Sequence, residues 1–67
     1  MSTHKLVTIV GTSPKSFEEA IGSGLTDAST TLRNLEWFEV QELRGRVQNG
    51  KVGEYQVKMQ VGFRVET

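Results

Sequence analysis

From Glu54 to Val65 the chain alternates without a fault. Tyr55, Val57, Met59, Val61, Phe63 and Val65 are apolar, and the residues between them, Glu54, Gln56, Lys58, Gln60, Gly62 and Arg64, are polar or small. Successive side chains of a strand point to opposite faces, so this run predicts one long strand with a buried side and a wet side. Upstream, Asn49-Gly50 is the pair that suits a two-residue type I′ hairpin turn, in which both positions need positive φ. Residues 35–46 therefore form a strand that folds back on residues 53–66. With Asn49 and Gly50 in the turn, Gln48 faces Lys51, Phe38 faces Val61 and Val40 faces Met59. The apolar pairs meet without being forced to, which supports this register. On the other face Trp37 opposes Gly62, Glu39 opposes Gln60, Gln41 opposes Lys58 and Leu43 opposes Gln56. The same count turns Arg44 toward the apolar side, and only a β-bulge would swing it outward.

The first half of the chain reads as a strand and a helix. Residues 5–10 are rich in β-branched side chains and form a short strand. Gly11-Thr12-Ser13-Pro14 ends it. Ser13 with Pro14 behind it is one candidate helix start, and Ser16 with Glu19, a capping box, is another. Phe17, Ala20, Ile21, Leu25, Ala28 and Leu32 then recur at helical steps. A helix of about 20 residues, roughly 30 Å long, carries them toward Asn34. Gly22 and Gly24 each weaken it by about 1 kcal/mol relative to alanine. Gly24 borders the apolar stripe, where a strand can approach closely. The predicted fold class is α+β: a β-α-β-β chain forming one domain over residues 1–67, with a three-stranded antiparallel sheet wrapped around one long helix.

A chain of 67 residues buries only about 60% of the surface its unfolded form exposes. Such domains need disulfides, a metal or oligomerisation for security. There is no cysteine and a single histidine, His4, which excludes disulfides, thiol chemistry and a multi-histidine cage within one chain. Oligomerisation remains. Eight basic and eight acidic residues cancel, so no global field attracts nucleic acid or an anionic membrane. No apolar run approaches a membrane span, and the N-terminal residues lack a signal-peptide pattern. A cytoplasmic protein is expected.

Trp37 is the only tryptophan, and the register turns it away from the core. It either anchors a subunit contact or stacks a flat ligand. Gln56 and Arg64 share its face, and a carboxamide can meet a donor and an acceptor on a ring edge at once. The remaining polar residues have simpler explanations. Gly11-Thr12-Ser13-Pro14 could cradle a phosphate at a helix start, but capping accounts for it. Glu36, Glu39 and Glu42 could serve acid–base chemistry. Strand alternation separates Glu39 from the other two and no nucleophile accompanies them, so they read as surface carboxylates. Lys5 and Lys58 read as solvated charges, and His4 as part of a frayed terminus. Tyr55 and Phe63 belong to the core face.

Val10-Gly11-Thr12-Ser13, Thr31-Leu32-Arg33-Asn34-Leu35-Glu36-Trp37-Phe38-Glu39-Val40, Arg44-Gly45, Tyr55-Gln56-Val57 and Val61-Gly62-Phe63-Arg64-Val65-Glu66 together resemble the dodecins, small flavin-binding proteins of bacteria and archaea. The resemblance runs from about Lys5 to Glu66. It implies a hollow shell of twelve chains with flavins bound in pairs at twofold-related sites, sandwiched between tryptophans of two subunits. By that resemblance Trp37 is the stacking residue, Gln56 meets the isoalloxazine edge, and Arg44 and Arg64 lie near the flavin phosphate. The cofactor implied is FMN, with riboflavin or another flavin as alternatives. Some members also bind coenzyme A near the threefold channels. The expected function is flavin storage and quenching of flavin photochemistry, without catalysis. A flavin-dependent enzyme and a purely structural assembly module are the competing classes.

Overall fold

The computed structural model describes residues 2–66; Met1 and Thr67, the ends of the expected domain, lie outside the described residues. Strand β1 (His4–Ser13) leads to helix α1 (Phe17–Ala28), followed by β2 (Leu35–Gln48) and β3 (Lys51–Arg64). The three strands form one antiparallel sheet in the order β1-β3-β2. The alternating strand thus takes the central place. This is the β-α-β-β architecture that the sequence predicts.

The core lies between α1 and the apolar side of β3. Val57, Met59, Val61 and Ala20 are fully buried, and Ile9, Phe17, Ile21 and Leu25 pack around Ala20, Val57 and Met59. Tyr55 closes one end with its ring edge-on to Phe17, centroids 5.0 Å apart. Burying one such aliphatic side chain contributes roughly 1.5–3 kcal/mol. The helix packs chiefly on β1 and β3. The inner side of β2 is left open, with Phe38, Val40 and Leu43 exposed there.

Gly11 and Gly24 let β1 and α1 touch backbone to backbone. A Cβ on Gly11 would stand 2.1 Å from the Ala20 carbonyl oxygen, and one on Gly24 would stand 3.1 Å from Gly11 Cα. Gly22 has nothing within 4 Å of such a position. Opposite outcomes are therefore expected from the same substitution. Gly22→Ala should stabilise the protein by up to about 1 kcal/mol through helix propensity. Gly11→Ala should destabilise it by about 1–3 kcal/mol, because a backbone carbonyl cannot yield as a side chain can. Urea denaturation of both variants checks this, and equal midpoints would contradict the close packing.

Of the two expected helix starts the structure takes the capping box, and the helix and the first strand differ from the sequence expectation in extent. The helix starts at Ser16, whose Oγ accepts a hydrogen bond from the Glu19 N–H at 3.0 Å. Ser13, the other candidate cap, ends β1 instead, and its Oγ accepts from the Lys15 N–H at 2.9 Å. Pro14 explains this, since the residue before a proline is pushed to extended backbone. The helix spans 12 residues, not about 20. Ser29 and Thr30 turn their hydroxyls back onto the carbonyls of Thr26 and Asp27, each at 2.7 Å. Such local bonds compete with helix continuation, and Leu32 falls outside it. Asn34 then takes a left-handed φ of 61° at the entry to β2. Finally, β1 begins at His4 and pairs with β3 along its whole length, His4 opposite Arg64. His4 is a strand residue, not part of a frayed end.

The hairpin keeps the expected register at Trp37–Gly62, Phe38–Val61, Glu39–Gln60, Val40–Met59 and Gln48–Lys51. Between Val40 and Glu42 the ladder slips by one residue, so that Glu42 pairs with Lys58, Leu43 with Val57 and Arg44 with Gln56. The expected Gln41–Lys58 and Leu43–Gln56 pairs are therefore replaced. A second irregularity between Arg46 and Val47 restores the count. The slip has a physical cause. Unbroken alternation would aim Glu42, Arg44 and Arg46 at the core side and Leu43 at water, and burying unpaired charge is costly.

Candidate functional site

The face of the sheet away from α1 has an aromatic end and a polar end. At the aromatic end, Trp37 of β2 lies across Gly62 of β3. A Cβ on Gly62 would stand 2.3–2.6 Å from three atoms of the indole, so only glycine admits the ring there. The residue is still 40% exposed. Its Nε1–H donates to Glu39 Oε2 at 3.2 Å. Beside it, His4 of β1 presents its ring at 5.1 Å between centroids, tilted by 55°. Nε2 of His4 donates to Glu36 Oε1 at 2.6 Å. Arg64, two residues past Gly62 and opposite His4, flanks the same end.

At the polar end, the bulge has brought Arg44 outward beside Gln56. Arg44 Nε donates to Gln56 Oε1 at 3.0 Å, and Gln56 Nε2 donates to Glu54 Oε1 at 2.8 Å. Arg46 approaches the same carboxylate at 3.8 Å. This chain of contacts sets the orientation of the Gln56 amide. One N–H and one lone pair remain for a ligand.

The four site residues that the sequence points to share one face, but they do not converge within one chain. Trp37 and Arg64 lie at one end, Arg44 and Gln56 at the other. Gln56 is six residues from Gly62 along a strand that rises about 3.3 Å per residue, so the two ends lie roughly 20 Å apart. A single tricyclic ring cannot span that distance. Sequence reasoning missed His4 and Glu36 as members of this face, whereas the alternation of residues 54–65 already puts Glu54 on it beside Gln56. Extending the β1 alternation back by one residue would have found His4.

The other candidates are engaged structurally. Glu39 and Glu42 stand on the same face, against the expected alternation, because the bulge lies between them. Glu39 serves the indole, and Glu42 pairs with Lys58 at 3.4 Å, so Lys58 is not simply solvated. Exposed pairs of this kind contribute about 0.2–1 kcal/mol. Gly11 packs on α1, and Ser13 caps a turn. Among the described residues no group of three or more His, Cys, Asp or Glu side chains is placed to hold a metal ion, and no helix is long and apolar enough to cross a membrane.

Known proteins with this sequence and shape are consistent in kind. The family model described as Dodecin matches residues 3–66. The dodecin of Thermus thermophilus is 51% identical over 63 residues, covering 94% of this chain and 91% of the relative. The structure of the dodecin from Streptomyces davaonensis superposes with a TM-score of 0.96 at 47% identity, covering 98% of this chain and 97% of its own. A calcium dodecin of Mycobacterium tuberculosis, a calcium-chelating antigen with a novel calcium-binding site, superposes with a TM-score of 0.84 at 28% identity, covering 97% and 93%. Similar structures also include three single-substitution variants of the Thermus thermophilus dodecin, one with a tryptophan replaced by phenylalanine and two each with one arginine replaced by alanine. With a family model covering nearly all of it and a relative about half identical over nearly the full length of both chains, this chain belongs to the dodecin family.

Proposed function

We propose that this dodecin is a cytoplasmic flavin store that stacks paired flavins, FMN foremost, between the Trp37 indoles of twofold-related subunits in a homododecamer. Family membership implies multimeric assembly, and the proposal adds its size and its cargo. The observation that carries it is the Trp37 indole, laid flat across a glycine, held at its Nε1–H and left exposed. Oxidised isoalloxazine is flat and electron-poor, and an indole is electron-rich. Stacking contributes roughly 0.5–1.5 kcal/mol beyond the buried area. A twofold axis duplicates every element, so one tryptophan per chain makes both walls. Electron transfer from the indole then quenches the excited flavin.

The separation of the two ends bears on this reading. A ring on Trp37 is out of reach of the same chain's Gln56, so the ring edge meets Gln56 of a neighbouring subunit. Arg44 orients that amide. The tryptophan and two arginines varied in the Thermus thermophilus dodecin stand at the same separations along that chain as Trp37, Arg44 and Arg64 do here. Flavins stacked face to face leave little space for a substrate, and the carboxylates nearest the indole already hold other groups. Storage therefore fits better than catalysis. Calcium chelation is not carried over from the Mycobacterium tuberculosis relative, because no metal-ligand group supports it among the described residues.

Titrating the protein into FMN and riboflavin, followed by flavin fluorescence, tests the proposal. Strong quenching that saturates is expected. Full fluorescence at micromolar protein would defeat it in favour of a purely structural module. The same titration with coenzyme A as competitor checks the second ligand that the resemblance implies. Arg64 should set phosphate preference. Its guanidinium can fork onto a phosphate but offers little to an uncharged ribityl tail. Arg64→Ala should weaken FMN binding by about 1–3 kcal/mol and leave riboflavin nearly unchanged. Equal losses for both flavins would mean that Arg64 shapes the ring site instead.

A further inference from the structure

His4 stands at the start of β1, yet its ring is well packed, with 27% of the side chain exposed. Its neighbourhood is built from all three strands. Arg64 of β3 is its ladder partner. Gly62, two positions along, has no side chain, and this gap lets the Trp37 indole of β2 reach across the central strand toward β1. Glu36 is the residue displaced from the ladder between the Leu35–Phe63 and Trp37–Gly62 pairs. Bulges re-aim side chains in this way, and this one sends a carboxylate to His4 at 2.6 Å. A charged acceptor makes that hydrogen bond a strong one. The imidazole is thereby fixed in place, with its ring at favourable aromatic distance from the indole.

We propose that His4, clamped by Glu36, is the positioning residue of the Trp37 platform. Three contacts then define the indole: the Gly62 backbone beneath it, Glu39 at its Nε1–H, and His4 at its side. The clamp holds the indole in its stacking position before ligand arrives, so that binding does not have to order it. Ordering a free side chain on binding lowers affinity, and presetting it removes that loss. The consequence for affinity rests on the flavin reading above, whereas the consequence for the indole does not.

The test uses the assembled protein and the variants His4→Ala, His4→Phe and Glu36→Gln. Trp37 is the only tryptophan, so its near-ultraviolet circular dichroism and fluorescence anisotropy decay report on the platform without any ligand. In His4→Ala the indole band should weaken, fast local motion should appear, and FMN should bind roughly tenfold more weakly, about 1.4 kcal/mol. His4→Phe restores an aromatic neighbour and should recover most of the rigidity and affinity. Glu36→Gln, a weaker acceptor, should fall between His4→Ala and the parent. A merely structural His4 would alter melting temperature without this ordered effect on Trp37. Ligand-free Trp37 signals identical in His4→Ala and the parent would overturn the proposal. FMN affinity unchanged within about twofold despite a loosened indole would also overturn it. If the parent itself ignores FMN, the flavin reading falls, while the ligand-free signals still decide whether His4 positions the indole.

Discussion

Trp37→Ala should reduce FMN affinity by at least about a hundredfold, close to 3 kcal/mol. The size follows from symmetry. A buried aromatic side chain covers 150–250 Å², worth about 4–6 kcal/mol at 25 cal/mol per Å², and a twofold site loses both walls to one substitution. The fold should survive, because the indole lies on the face opposite the buried side chains Val57, Met59 and Val61. Trp37→Phe, which keeps a smaller plane but loses the Nε1–H bond to Glu39, should retain part of the affinity. Fluorescence titration gives the affinities, and far-ultraviolet circular dichroism verifies the fold. Affinity within twofold of the parent in Trp37→Ala, a change of only about 0.4 kcal/mol, would remove the stacking role altogether. Gly62→Val offers an independent approach. Its side chain would occupy the place of the indole, so flavin binding should fail although Trp37 is still present.

Much of this arrangement is legible in the chain, and the parts that are not have identifiable causes. Period-two alternation and Asn49-Gly50 place β3, the hairpin and the Trp37–Gly62 pair correctly, because local pattern and turn chemistry act on the same residues. The bulge at Gln41 was also written in the sequence. Apolar positions fall at Phe38 and Val40, then shift parity to Leu43 and Val47, and only a slipped register keeps all four on one side. A strict count across the whole hairpin overrode that signal and left Arg44 inside. The helix end was missed for another reason. Leu32 continues the apolar stripe, but the Ser29-Thr30-Thr31 run bonds its hydroxyls to the preceding carbonyls, and side-chain competition of this kind leaves no mark on hydrophobic periodicity. His4 and Glu36 were invisible as a pair because they come together only through the sheet, across 32 residues of chain. Their contact also needs a bulge that no local pattern announces. The spread of the site over about 20 Å could have been computed from residue numbers on β3 alone.

Val40→Asp should break the assembly. The inner side of β2 carries Phe38, Val40 and Leu43 at 44%, 43% and 58% exposure, and α1 packs chiefly on β1 and β3 instead. A contiguous apolar surface on so small a chain marks an interface, and membership of a multimeric family supplies the occupant, another copy of the chain. A carboxylate at position 40 would be buried there without a partner, at a cost of about 3–5 kcal/mol for an uncompensated charge. Closed symmetry repeats the defect at every equivalent contact, so its effect multiplies with the number of subunits. Leu43→Ser, nearer the end of the uncovered strip and without a charge, should loosen the assembly without dissolving it. Light scattering at micromolar concentration should find the parent as a particle of twelve chains and Val40→Asp as monomers or small oligomers. Far-ultraviolet circular dichroism shows whether those smaller species keep the hairpin. Flavin quenching should vanish together with the large particle, because the proposed site takes its two tryptophan walls from different subunits. A Val40→Asp protein that assembles and melts like the parent would show that this strip faces solvent. The multimer would then have to be built on another surface.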